Sequence, residues 1–343
     1  MADALPWVEL AATVAAADAV VGVGARTHTE IGGAVVGATE ISAPAGIVEF
    51  EPSDMTVKVN AGTPFAGLRA ALAEHGQECP LDPRDERATI GGIVACGLSG
   101  PRRLGLGPVR DNLLEVTFLT ADGRVVRGGG PTVKNVTGYD VPRLFVGSLG
   151  TLGVLVQVIL RTRPLPVSSQ WFSTDADPVE IHTALHRAAT IAWDGATTRV
   201  LLEGHTADID QQANQVGLGP AAAPASPAGP HRGRISIEPD RIRALAESLR
   251  PTNTTWLAEI GVGTVHVAAA DPGALAAARA AAAAHGGWLL REAGAPDLDP
   301  FGTAVPATAV QTRLRQALDP TGKLSPGRVP ATAPTAPAAG VAA

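Results

Sequence analysis

Four glycine-bearing turns in the first half of the chain limit its fold more than any other feature. They are GVGARTH (22–28), ATIGGIVACGLSG (88–100), VTGYD (136–140) and VGSLGTLGV (146–154), and each adjoins an apolar, strand-like run. Glycine weakens helices and strands alike; it serves where backbone turns sharply or is approached closely. One such cluster reads most simply as a tight turn. Four together point to a shared task. Turns of this kind offer backbone N–H groups as anion-binding concavities, and they let a flat ring lie against the backbone. An extended cofactor with a pyrophosphate and a planar head group uses both properties.

Several familiar sites are excluded. A G-x-G-x-x-G pattern starting at Gly22 fails at Thr27 and is not followed by a good helix, so it is no dinucleotide fingerprint. The chain has no G-x-x-x-x-G-K-[ST] loop and no H-E-x-x-H pattern. A formal net charge of −6 argues against nucleic acid as a partner. Two cysteines, Cys79 and Cys96, make neither a disulfide framework nor an iron–sulfur ligand set, and no metal site is expected. The first residues carry Asp3 and Glu9 and no basic stretch, so no secretory signal is expected. The apolar runs, such as 153–160, are too short for a membrane span. These features fit a cytoplasmic protein, peripheral at the inner membrane face only through partners.

With 45% hydrophobic but 3% aromatic residues, the core must be built from Ala, Val, Leu and Ile. The alternation in 47–60 predicts two strands around a Pro-Ser-Asp turn. Residues 63–76 predict an amphipathic helix, capped by Thr63 and ended by Gly76. Residues 113–130 predict a hairpin turning at Asp122-Gly123, and 153–166 a buried strand ending at Pro164 and Pro166. Beyond 168, helical pieces (178–192, 239–249, 271–286) alternate with strand-like ones (198–203, 256–268, 287–292). The expected domains are 1–168 and 169–329, with a mobile Ala/Pro loop at 217–231 and a disordered tail at 330–343.

In this order, EPSDMTVKVNAG (51–62), PLDPRDERATIGGIVACGLSGPRR (80–103), VRDNLLEVTFLTADGRVV (109–126), KNVTGYDVPRLFVGSLGTLGVLVQVILRTRPLP (134–166) and DPTGKLSPGR (319–328) resemble the FAD-binding oxidase superfamily typified by vanillyl-alcohol oxidase. Within it, the chain is similar to the FAD-binding subunits of bacterial glycolate oxidase, the GlcE type. The resemblance implies an α+β protein: a PCMH-type FAD-binding domain of two α/β lobes plus a smaller domain with an antiparallel sheet. It implies non-covalent FAD. It places Gly24, Ala25, Arg26, Thr27 and His28 in the first phosphate loop. Pro80, Thr89, Ile90, Gly91, Gly92, Ser99, Gly100 and Arg103 fall along the flavin wall, Gly138, Tyr139 and Asp140 on a second wall segment, and Gly150, Gly153 and Val154 at the adenine end. It also implies a larger FAD-binding subunit, an iron–sulfur subunit and a small 2-hydroxy acid substrate.

The chain departs from the family pattern in three places. Val23-Gly24-Ala25-Arg26-Thr27 replaces Arg-Gly-Gly-Gly-(Ser/Thr/His), so Ala25 and Arg26 must follow a path usually given to glycine. Leu149 replaces a glutamate. The Gly-Asp-Gly-Asn-x-His segment of catalytic relatives survives only as GVGTVHV (261–267), where His266 is either a base or an ordinary residue of a half-buried strand. Lys134, one of three lysines, is either a substrate cation or a solvated loop residue; Arg102, Arg103, Arg143 and Arg328 are the other cation candidates. His182 and His186, four apart on an expected helix, read as an exposed face. Three functions follow: a FAD-carrying subunit of a glycolate oxidase complex, a free-standing 2-hydroxy-acid dehydrogenase, or an assembly subunit that keeps the fold without the chemistry.

Overall fold

The computed structural model describes residues 7–131, 139–302 and 308–328. The chain opens with α1 (Val8–Ala16) and a parallel pair, β1 (Val20–Gly22) and β2 (Thr39–Ile41). There follow β3 (Ile47–Glu51), β4 (Thr56–Asn60), α2 (Phe65–Ala73), the short β5 (Gln77–Glu78), α3 (Ile90–Cys96), β6 (Leu113–Leu119), β7 (Val125–Gly129) and β8 (Val154–Arg161). An antiparallel sheet forms in the order β3-β4-β8-β6-β7. Its central strand β8 is buried along both faces, which explains its continuous apolar run VLVQVIL. One face packs Val57, Val116 and Val158 against Leu68, Leu72, Ile90 and Val94 of α2 and α3. The other packs Leu119, Val154 and Val156 against Val14, Val20 and Ile41 of the first lobe.

The predicted hairpins at 47–60 and 113–130 form, and the second turns at Asp122-Gly123 with Gly123 at φ +80°. The helix expected over 63–76 starts at Phe65, but Thr63 does not cap it. The Thr63 hydroxyl instead donates to the Asn60 carbonyl and accepts from Gly46 N–H, bracing the preceding turn.

After β9 (Arg163–Pro164) the chain enters a second sheet of eight antiparallel strands: β10 (Ser168–Thr174), β11 (Thr190–Trp193), β12 (Thr198–Gly204), β13 (Gly219–Pro220), β14 (His231–Ser236), β15 (Thr254–Glu259), β16 (Thr264–Ala269) and β17 (Trp288–Ala293). Their order is β13-β10-β12-β11-β15-β16-β14-β17. Helices Ile242–Leu249 and Pro272–Ala284 cover one face, burying Ile235, Val265, Ala258 and Leu289 against Leu245, Leu249 and Leu275. Two sequence expectations change here. The piece 178–192 is helical only over Pro178–Ala184, because Leu185 turns to extended backbone and Thr190 begins β11. The run 256–268 is two strands, not one, because Gly261 and Gly263 both adopt φ +80° and turn β15 back into β16. Of the 217–231 loop, Gly219 and Pro220 join the sheet edge beside Ser173 and Phe172. The expected tail lies outside the described residues.

The segment 319–328 returns to the first domain. Leu324 bridges to Val20, and the Lys323 ammonium donates to the carbonyls of Val14, Ala15 and Ala17, satisfying the open C-terminal end of α1. The domains are also pinned by charge. Arg102 and Arg163 of the first domain both pair with Glu78 of β5, at 2.8 and 2.6 Å, and with Glu203 of β12, at 2.9 and 3.1 Å. The two carboxylates are only 8% and 11% exposed. Burial alone would raise the Glu78 carboxyl, but hydrogen bonds and charge from Arg102 and Arg163 outweigh it and hold it below its ordinary value.

Removing one partner of such a buried network leaves uncompensated carboxylates, so Arg102→Met is expected to lose about 3–5 kcal/mol in urea unfolding near neutral pH. Because the Glu78 carboxyl is depressed in the folded chain, its contribution is present above its ordinary value of 4.5 and fades as pH falls below that. The gap between wild type and Arg102→Met should therefore narrow in acid. A variant as stable as wild type at pH 7 would show that the network is not a clamp.

Candidate functional site

The loop after β1 meets the start of α3 because residue 24 has no side chain. A Cβ on Gly24 would sit 2.1 Å from Thr89 Oγ1. Thr89 is the N-cap of α3, its hydroxyl accepting from Gly92 N–H at 3.3 Å. Two residues on, Gly91 N–H donates to the Ala61 carbonyl at 2.7 Å, and a Cβ on Gly91 would lie 2.9 Å from the Ala61 methyl. A Cβ on Gly153 would strike the Phe118 ring at 2.6 Å. At these three positions it is the chain's own neighbours that require glycine. The run ATIGGIVAC, whose glycines suggest a turn, is thus a short helix held tightly to β4 and to the first loop.

These approaches enclose a cavity of about 560 Å³, of the size usual for a bound small molecule or cofactor. Its walls bring together the predicted Gly24, Ala25, Arg26, Thr27, His28, Thr89, Gly91, Gly92, Gly150, Gly153 and Val154. Other predicted residues lie elsewhere. Ile90 is wholly buried in the core beneath α3, and Pro80 is buried, with its carbonyl accepting from Asn112. Ser99 is buried, and Gly100 packs against Asp82. Arg103 stands near Glu259 and Arg234 rather than in the cavity wall. Tyr139 is 92% exposed, and Asp140 caps the helix Val141–Phe145. Lys134 and Gly138 lie outside the described residues. His186 is not on the helix that carries His182, which ends at Ala184.

The cavity's polar equipment suits an anionic centre between apolar ends. Arg26 takes the left-handed conformation, φ +56°, on the path usually given to glycine, and its guanidinium pairs with Glu40 of β2. Arg328 reaches the wall from the returning segment while donating to the carbonyls of Gly33 and Thr29. From the second domain comes Arg291, which lines the cavity, donates to the Gly294 carbonyl, and keeps a buried Nε with no partner. His28 shares its Nδ1 with the Thr27 hydroxyl at 2.9 Å; burial, against the pull of Glu292, holds its imidazole below the ordinary value. Val21, Ile31, Ile41 and Leu155 supply apolar walls. This set fits a molecule with flat apolar ends joined by a pyrophosphate, as FAD is.

Beyond one end of the cavity lies a polar seam between the domains. The uncovered face of the eight-stranded sheet carries Glu259, His266, Arg234 and Leu290, and Leu290 packs on Ile31, Leu98 and Leu149 of the first domain. A bulge opposite Gly233 lets both Arg291 and Glu292 reach the first domain, the former at the cavity and the latter at Arg84. Arg84 bridges the seam, donating to Glu292 Oε2 at 3.3 Å and to His266 Nε2 at 2.9 Å. His266 Nε2 also lies 2.7 Å from Glu259 Oε1. Burial pushes the Glu259 carboxyl up to about 7, against the neighbouring positive charges of Arg84, Arg103 and Arg234. The sequence reading reached His266 but missed Glu259, Arg84, Arg234, Arg291 and Glu292. Its available signal was the placing of charges inside otherwise apolar strand runs, as in HRGRISI.

Residues 6–129 match the FAD binding domain family. The chain is 42% identical over 149 residues to glycolate oxidase subunit GlcE of Escherichia coli, a stretch covering 43% of this chain and 43% of that protein. It is 36% identical over 117 residues to a D-lactate dehydrogenase of Archaeoglobus fulgidus, covering 34% of this chain and 26% of that enzyme. In each of these curated relatives the chain spans less than half the length. The fold as a whole is that of alkyldihydroxyacetonephosphate synthase, a solved structure that is 13% identical with a TM-score of 0.69 over 93% of this chain and 74% of that one. The α+β architecture expected from the sequence, with its antiparallel sheets, is therefore the architecture of this chain. Among the described residues no helix is long and apolar enough to cross a membrane.

Gly24→Ala is expected to expel Thr89 from its capping position and lower the flavin content of the purified protein at least severalfold. Adding Thr89→Ala to the same chain removes the hydroxyl and methyl that the new Cβ meets, and should restore part of it. Full flavin content in the single variant would show that the contact does not shape the site. A second expectation concerns pH. The Glu259 carboxyl binds its proton more tightly folded than unfolded, so its share of stability falls as pH rises from 4.5 towards 7. Glu259→Gln should then gain most relative to wild type at pH 8 and least at pH 5; a gain independent of pH would place the proton elsewhere.

Proposed function

We propose that this chain is the FAD-carrying subunit of a glycolate oxidase-type complex that converts glycolate to glyoxylate, with D-lactate as a secondary substrate. The observation that carries this reading is the cavity itself. Its walls come from the FAD-binding domain and are closed by Arg291 of the second domain, beside a seam rich in ionisable groups. The bound flavin supplies the acceptor for the two electrons removed from the hydroxy acid. The loop 24–28, the α3 backbone at Gly91 and Gly92, and Arg328 would hold it. The FAD is held non-covalently, with His28 beside it sharing its Nδ1 with the Thr27 hydroxyl. A larger FAD-binding subunit and an iron–sulfur subunit would complete the complex, at the cytoplasmic face of the membrane.

A second reading, a free-standing 2-hydroxy-acid dehydrogenase, is favoured by one specific observation: Arg84, Glu259, His266 and Glu292 meet within this single chain. A non-catalytic assembly subunit is the third.

The purified chain is expected to show a flavin spectrum, and acid precipitation should release the flavin into the supernatant. Anaerobic glycolate separates the readings. A spectrum that bleaches with the chain alone supports the free-standing enzyme, whereas one that bleaches only after the partner subunits are added supports the complex. A protein that takes up no FAD leaves only the assembly role.

A further inference from the structure

A second cavity, of about 750 Å³, lies at the junction of the two domains and shares no wall residue with the cavity described above. Its volume is in the range of small-molecule sites, which favour domain interfaces. The first domain contributes β9 and the short helix Arg103–Leu106. The second contributes β12, the helix Thr206–Gln215, and the turn from the helix Pro178–Ala184 into β11. Gly105 fixes the two halves together. Its N–H donates to the Ala189 carbonyl at 3.1 Å, and a Cβ there would lie 2.9 Å from Ala189 Cα.

The walls differ in chemistry. Leu185, Ala188, Ile191 and Leu202 form an apolar stretch. His182, His186 and Arg187 bring N–H donors to the same cavity, and among the described residues none of these side chains has a hydrogen bond or ion pair. Asp208, Gln211 and Gln212 are spaced i, i+3 and i+4 on one helix, so they share a face distinct from that of the buried Ile209 and Ala213. The Asp208 carboxylate has no partner among the described residues. Gln212 Oε1 is closed off from water and also unpartnered, while its amide nitrogen donates to the Asp208 carbonyl at 3.5 Å. A buried acceptor of this kind is unfavourable unless a donor meets it. Arg163 and Glu203, the other charged wall residues, are engaged with each other in the clamp.

We propose that this cavity binds a free α-amino acid with an apolar side chain. The carboxylate meets Arg187 and the two imidazoles, the ammonium meets Asp208 and Gln212 Oε1, and the side chain lies against Leu185, Ile191 and Leu202. A simple anion would leave the acceptors on the helix unmet, and a simple cation would leave the three basic groups unmet. A zwitterion answers both. Because both domains supply walls, the occupant acts as an effector that stiffens the junction. No bond is made or broken, and the proposal does not depend on the glycolate oxidase reading.

The test uses the purified full chain, with binding read by calorimetry and thermal shift. The probes are leucine, isocaproate (leucine without the ammonium), isoamylamine (leucine without the carboxylate) and glycine. Wild type should bind one leucine per chain, about tenfold or more tighter than each of the other three, and melt higher with it. Asp208→Asn should weaken leucine about tenfold and leave isocaproate unchanged. Arg187→Gly should weaken leucine and isocaproate about tenfold and leave isoamylamine unchanged. Its fold is safe, because Arg187 holds φ +59°, a conformation open to glycine. Gln212→Met, which removes the unmet acceptor, should melt at least as high as wild type alone but gain less from leucine. Leucine should not displace FAD, since the two cavities have separate walls. Absence of saturable leucine binding by the folded wild type, equal affinity for leucine and isocaproate, wild-type leucine affinity in both Asp208→Asn and Arg187→Gly, or displacement of FAD each overturns the proposal.

Discussion

The contact between Gly24 and Thr89 is the constraint on which the site depends. It joins a loop of the first lobe to the first turn of α3, and it exists because a Cβ at residue 24 has no room beside the threonine hydroxyl. Thr89 in turn caps α3, and Gly91 two residues later presses that helix onto Ala61 just after β4. Loop, helix and sheet are thereby fixed around one hollow, and the returning segment 319–328 seals the first lobe through Leu324 and Lys323. A larger residue at any of these points would separate walls that come from distant parts of the chain.

The second domain then meets this rigid frame in two chemically different ways. At Glu78, Arg102, Arg163 and Glu203 two guanidinium groups meet two carboxylates in four ion pairs, so the contact fixes orientation. At Arg84, His266, Glu259 and Glu292 the charges meet with ring and carboxylate atoms left over.

Much of the frame was legible in the sequence because its signals are local. Strict alternation in 47–60 and 113–130, the Asp122-Gly123 turn and the apolar run of β8 each name an element by themselves. From the glycine clusters, residues 24–28, Thr89, Gly91, Gly92, Gly150, Gly153 and Val154 line one cavity. The clusters concealed the helix Ile90–Cys96, since glycine is a poor helix former and only its fit against Ala61 explains it there. The seam was mostly illegible. Arg84 lies 182 residues from His266, and nothing in either neighbourhood announces the other. Arg291 and Glu292 reach the first domain together only because a bulge breaks the alternation that a strand reading assumes. Tyr139, placed by resemblance on a cofactor wall, is exposed to solvent.

The most direct test of this account is an equilibrium titration of the flavin-free chain with FAD, followed by the quenching of flavin fluorescence. A cavity assembled as described should bind one FAD per chain, saturably, and bind it far more weakly in Gly24→Ala. Absence of saturable binding by a folded wild-type chain would contradict the assignment of this cavity to FAD.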